Sequence, residues 1–165
     1  MYEQDTIAAI ATPVGEGAVA IVRVSGPHAE GIAKSVFVRA QVKSRELASH
    51  RLYHGKIRDP RSGKFLDEVL VAVMRKPHSY TGEDVVEVHC HGGAFVVRRV
   101  LELLLAQGAR HAEPGEFTKR AFLNGRMDLT QAEAVIDLIS ARTDRGVELA
   151  INQASGELSQ WVHDL

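Results

Sequence analysis

The side chains richest in chemistry lie in residues 79–93, SYTGEDVVEVHCHGG, where a carboxylate, two imidazoles and the single thiol fall within five positions. Val85, Val86 and Val88 surround Glu87, and β-branched residues at this density predict a strand buried on at least one face. In a strand, Val85, Glu87 and His89 share one face while Val86, Val88 and Cys90 share the other, so the carboxylate stands among groups of mixed character. A buried carboxylate without a partner is costly. Glu87 therefore either makes an ordinary ion pair on a solvated face or is matched to another side chain or a ligand. His89 and His91 could converge on a metal because alternate residues share a face, but two ligands do not close a site. Gly92 and Gly93, ahead of an apolar stretch, could bare amide N–H groups to an anion; without GxGxxG or GxxxxGK[ST], a tight turn explains them equally well. A guanidinium completes the set. Arg23 interrupts AVAIVRV at residues 18–24 and shares a face with Val19 and Ile21, either snorkelling to the sheet edge or serving a binding site.

These groups need elements to hold them. Residues 6–11 and 18–24 read as apolar strands separated by a Pro/Gly turn, and a helix opened by Pro27 or His28 runs to about Phe37 with Ile32, Ala33 and Val36 on its inner stripe. Residues 38–50 are polar and read as a surface loop. Residues 51–59 and 66–75 flank Pro60-Arg61-Ser62-Gly63, a hairpin signal. Residues 94–107 are apolar almost all round and predict a core helix stopped by Gly108; residues 109–113 allow one more short strand. Residues 116–123 predict a short helix with Asn124-Gly125 as its left-handed exit, and Asp128 with Gln131 forms a capping box for the next, Thr130 with Glu133 offering the same box one register later. From residue 128 onward the pattern is helical only, with Val147, Ala150, Ile151, Ala154, Leu158, Trp161, Val162 and Leu165 on one stripe. That stripe lacks a stop signal, which predicts that the helix continues in a longer protein or pairs with another copy. The fold class expected is α+β, a mixed-sheet α/β domain followed by α-helices.

With 45% hydrophobic and 25% charged residues, the chain has material for a globular core and none of the bias of a disordered segment. Its longest apolar runs are far short of a membrane span, its N-terminus lacks a secretory pattern, and one cysteine excludes an intramolecular disulfide; a cytoplasmic protein is expected. The net charge of −1 is uneven: residues 129–165 carry six acidic and two basic side chains, so that piece is ill suited to grip phosphate backbones by itself.

Three stretches point one way: DTIAAIATPVGEGAVAIVRVSG at residues 5–26, SYTGEDVVEVHCHGG at 79–93 and EPGEFTKRAFLNGRMDLTQAEAVIDLI at 113–139. Together they resemble the N-terminal domain and the start of the helical domain of the bacterial and organellar tRNA-modification GTPases called MnmE or TrmE, and the resemblance covers essentially the whole chain. It implies that residues 1–120 form a domain like the tetrahydrofolate-binding domain of aminomethyltransferases, which dimerises and binds 5-formyl-tetrahydrofolate near the dimer interface. Residues 121–165 would begin the helical domain. The implied parent protein hydrolyses GTP in a separate inserted domain, with magnesium and potassium. It works with the flavoprotein MnmG (GidA) to place an aminomethyl or carboxymethylaminomethyl group on C5 of the wobble uridine of certain tRNAs.

Carried onto this sequence, the folate contacts fall on Arg23, Glu87 and Arg126. A pterin presents its N3–H and 2-amino group as a planar donor pair that a carboxylate such as Glu87 can accept, while arginines offer donors to its carbonyl, the formyl oxygen or the glutamate tail. The family usually has lysine where Arg126 stands and glycine where Cys90 stands. The sequence contains neither a GxxxxGK[ST] phosphate loop nor the family's C-terminal Cys-x-Gly-Lys, so this chain alone is expected not to hydrolyse GTP or catalyse modification, and to bind folate at most weakly. Two other classes remain open: a pure assembly module in which Arg23 and Glu87 pair and no small molecule binds, and an aminomethyltransferase-like enzyme using His89, His91 or Cys90 as base or nucleophile.

Overall fold

A computed structural model describes residues 5–13, 15, 17–39 and 46–155. The chain divides into two units, Met1–Pro114 and Gly115–Leu165. In the first, the chain runs β1 (Ile7–Ile10), β2 (Val19–Ser25), α1 (Ala29–Val36), β3 (Phe37–Arg39), β4 (Arg51–Arg58), β5 (Phe65–Met74), β6 (Val85–His91), α2 (Ala94–Ala106) and β7 (Arg110–His111). The seven strands form one mixed sheet in the order β3-β4-β5-β6-β2-β1-β7, antiparallel except where β7 runs parallel to β1. This is the α+β arrangement the sequence predicts.

Alternation along the strands decides which face is covered. Val22, Val24, Val71, Val86 and Val88, all fully buried, join Ile32, Val36, Val100 and Leu104 of the two helices in one core. A fully buried aliphatic side chain of this kind contributes about 1.5 to 3 kcal/mol. Three expectations change. The helix predicted to be apolar all round covers only one sheet face, so Phe95 on its outer side is 73% exposed. The predicted loop at residues 38–50 begins as strand β3, because residues 37–39 add to the edge of β4, and it places Leu47 in the core. Residues 40–45 of that loop lie outside the described residues. The strand predicted at residues 109–113 shrinks to the two residues of β7.

On the opposite face the register sets side chains in rows. Ala9, Arg23, Glu87 and Ala72 lie side by side across β1, β2, β6 and β5; the next row holds Ile21, His89, Leu70 and His54. Beyond Arg23, the segment between β5 and β6 is stapled to the end of β2, where the buried Ser25 hydroxyl meets Thr81 Oγ1 at 2.7 Å and donates to Glu83 Oε2 at 2.7 Å.

The second unit is helical: α3 (Glu116–Leu123), α4 (Leu129–Ser140) and α5 (Asp144–Ala154). Gly125 at φ 68° makes the predicted left-handed exit from α3. The capping box forms on Asp128, whose carboxylate accepts from Gln131 N at 2.8 Å while the Gln131 side chain accepts from Asp128 N at 2.9 Å. Gln131 Nε2 also donates to Ala154 O, tying the start of α4 to the end of α5, and Ala134 and Ala150 are buried between these helices. Larger apolar side chains face outward, Ile139 being 81% exposed. The rest of the predicted stripe, Leu158, Trp161, Val162 and Leu165, lies outside the described residues. Because the box uses Asp128 and not Thr130, Asp128→Ala should cost about 1 kcal/mol of stability, and Thr130→Ala close to nothing. Chemical denaturation followed by far-UV circular dichroism reads both.

Candidate functional site

Arg23 and Glu87 are direct cross-strand partners, and short alanines on the flanking strands leave their side chains room to lie flat over the sheet. Both N–H groups that Arg23 turns toward the acid go to one oxygen: Nε donates to Glu87 Oε1 at 2.9 Å and Nη2 lies 2.8 Å from the same atom. The side chains are only 23% and 17% exposed, so the pair is shielded well enough to matter more than a surface salt bridge. Tyr80 stacks on Arg23 from the stapled segment, its ring centroid 4.9 Å from the guanidinium carbon.

The other oxygen of Glu87 looks toward His89. His89 Nε2 stands 3.5 Å from Glu87 Oε2, and this buried nitrogen makes no hydrogen bond among the described residues. Since Oε1 already takes two donors, Oε2 is the oxygen with accepting capacity to spare. The arrangement is a carboxylate half-saturated by an arginine, with an unsatisfied imidazole beside its second oxygen.

Past His89, Val19, Leu70, His54, Glu68 and Cys90 help line an open depression of about 460 Å³ that does not reach Glu87. His54 Nε2 pairs with Glu68 Oε1 at 2.7 Å, and His91 Nδ1 with Asp67 Oδ1 at 2.6 Å. Each of these imidazoles is thus directed to its own carboxylate, and among the described residues no group of three or more His, Cys, Asp or Glu side chains could hold a metal ion. Gly92 has a local explanation. A Cβ there would sit 2.3 Å from Gly17 O, and the two backbones exchange hydrogen bonds through Gly17 N to Gly92 O and Gly92 N to Ala18 O, both 3.3 Å. The glycine is needed for backbone approach, without invoking an anion.

Cys90 faces the covered side, 3% exposed, with Sγ 3.4 Å from Ala20 O. Burial, helped by the Asp67 carboxylate, pushes its thiol from 9.0 up to about 11. A thiol this reluctant to ionise is a poor nucleophile at neutral pH. Native protein should therefore resist iodoacetamide at pH 8 and be alkylated once unfolded in urea, as read by intact mass. The unfolded chain loses the thiol proton first, so this group's contribution to stability falls as pH rises from about 9 toward 11.

Arg126 belongs to the second unit, exposed, between Gly125 and the Asp128 box, its backbone N–H donating to Ala121 O at 2.8 Å. The structure thus brings Arg23 and Glu87 together directly and adds two neighbours, Tyr80 and His89. Alternation in the 85–91 strand puts His89 on the Glu87 face; nothing in the sequence marks Tyr80, because its stacking depends on how the segment before β6 folds back.

A family model described as "GTP-binding protein TrmE N-terminus" matches residues 6–126. Among curated proteins, the chain is 61% identical over 97% of its length to a protein of Carboxydothermus hydrogenoformans named "tRNA modification GTPase MnmE", covering 35% of that protein. Proteins with the same name from Geobacillus thermodenitrificans and Enterococcus faecalis are 58% and 55% identical over 100% and 99% of the chain, which covers 36% and 35% of them. The chain therefore spans about a third of the length of these relatives. No helix among the described residues is long and apolar enough to cross a membrane.

Proposed function

Because this chain belongs to the family of the N-terminus of the GTP-binding protein TrmE, we propose that it is the folate-binding and dimerising part of a tRNA-modifying GTPase. The observation that carries the reading is the half-saturated carboxylate: Glu87 gives Oε1 to Arg23 and keeps Oε2 for a further donor, next to the unsatisfied His89 nitrogen. These residues suit a reduced pterin, whose ring edge offers two N–H donors in one plane. Glu87 would accept from that edge, Arg23 would hold Glu87 in place and donate to ligand oxygens, and Arg126 would supply a third contact. For both pterin donors to reach Glu87 together, one N–H of Arg23 must leave Oε1, because that oxygen has no third lone pair. When bound, 5-formyl-tetrahydrofolate supplies a one-carbon unit.

The wider reading follows from the relatives. They are named tRNA modification GTPases, and this chain would serve such a parent protein: GTP hydrolysis with magnesium and potassium in another domain, the MnmG (GidA) flavoprotein as partner, and tRNA wobble uridine as the modified base. The tetrahydrofolate-binding likeness, the homodimer and the cytoplasmic location belong to the same proposal. The 165 residues here contain no GxxxxGK[ST] loop, so the chain by itself should not hydrolyse GTP.

One observation favours a second reading. Arg23 and Glu87 already satisfy each other in part within a single sheet, as an assembly module without a ligand would require. Isothermal calorimetry with 5-formyl-tetrahydrofolate, run beside sedimentation, separates the two. Saturable heat supports the folate reading; none up to millimolar ligand, with a dimer still sedimenting, supports the assembly module.

A further inference from the structure

We propose that His89 is a ligand-contacting residue of the Glu87 site, donating from Nε2 to the acceptor atom that flanks whichever ligand N–H sits on Glu87 Oε2. The inference rests on the folate reading and names a residue that reads the ligand beside the carboxylate.

The argument starts from an unpaired group. His89 Nε2 is buried and makes no hydrogen bond among the described residues, although its side chain as a whole keeps 25% exposure. A buried polar atom left without a partner costs free energy, so such an atom in a native fold calls for a reason. Local packing does not supply one. Its cross-strand neighbours are Ile21 on β2 and Leu70 on β5, neither of which carries a side-chain acceptor. Glu87 Oε2 stands at 3.5 Å, outside good hydrogen-bonding distance. A lone pair turned toward that carboxylate would be repelled, so the N–H is assigned to Nε2.

Oε2 and Nε2–H thus form an acceptor and a donor side by side, at the oxygen that Arg23 does not bond. Such a pair is matched by a ligand edge with a donor next to an acceptor. The pterin ring meets this requirement in either direction. N3–H is flanked by the C4 carbonyl, and the 2-amino group is flanked by N1, so whichever donor lies on Glu87 an acceptor falls beside it. Recognition through this pair rejects rings in which the atom flanking the bound N–H on the His89 side is itself a donor, since it would oppose the imidazole N–H.

The test is a titration of the chain and its His89→Leu and His89→Gln variants with 5-formyl-tetrahydrofolate. Glutamine keeps an N–H donor where leucine has none, so His89→Leu should weaken binding about tenfold and His89→Gln by no more than about threefold. In the wild-type chain, long-range ¹H–¹⁵N spectra should show the Nε2–Hε2 resonance of His89 moving with saturation by ligand. Equal losses in both variants, wild-type affinity in His89→Leu, or an unmoved Nε2 resonance on saturation would each overturn the inference and leave the folate reading standing. Absence of any binding by the wild-type chain overturns both. If His89→Leu does not fold, His89→Gln and the wild-type resonance decide the matter.

Discussion

Glu87→Ala is expected to abolish saturable binding of 5-formyl-tetrahydrofolate, a loss of more than about a hundredfold, because two charge-assisted hydrogen bonds vanish together. The variant also removes the carboxylate that holds Arg23 at 2.8 to 2.9 Å, on a side chain only 23% exposed. Losing that contact to a shielded guanidinium should cost about 2 kcal/mol of stability, less than breaking a fully buried pair would, since Tyr80 and solvent still reach it. Glu87→Gln is the sharper variant. Its one remaining oxygen can satisfy Arg23, but the new amide N–H₂ then points where Oε2 stood, presenting donors both to His89 and to the ligand N–H. Binding should fall as far as in Glu87→Ala, with less loss of stability. Calorimetry reads the affinity and thermal unfolding the stability. Full binding by Glu87→Gln would mean that the carboxylate does not receive the ligand.

Gly26→Ala should produce the largest loss of stability, about 3 kcal/mol or more, because two costs coincide. Gly26 has φ 132°, outside the range L side chains adopt readily, and an added Cβ would meet Asp5 O at 2.6 Å and Thr6 Cα at 2.7 Å. Both obstacles are backbone and cannot rotate away. Gly26 N also donates to Asp84 O at 3.0 Å, and Thr6 Oγ1 accepts from His28 N at 2.9 Å, so a shift there disturbs the entry to α1 and the segment carrying Tyr80. For a chain of this length the melting temperature should fall by roughly 10 °C. Gly63→Ala is the control: at φ 71° with no atom near its Cβ, it bears only the backbone strain, about 1 kcal/mol. Equal melting temperatures for the two variants would show that the close approach around Gly26 carries no weight.

Local order was readable from residue types because it depends on short stretches of chain. The alternation Val85, Glu87, His89 against Val86, Val88, Cys90 reappears as one face half open and one buried; the turn before β5 and the Asp128 box likewise need only a few consecutive residues. Even the placing of Glu87 among mixed neighbours follows from a two-residue period. What no window of sequence contains is which strand lies beside which. Arg23 and Glu87 are 64 positions apart, and their meeting depends on β2 entering between β6 and β1 in one register; a slip of one residue would turn Arg23 into the valine core. The same non-local choice set α2 on one face only, brought Tyr80 over Arg23, and left His89 Nε2 beside the free oxygen of Glu87. Periodicity is a property of neighbours along the chain, whereas register is settled by burial summed over the whole sheet. The strands, caps and chemical groups were therefore written in the sequence, and their convergence into a site was decided by packing.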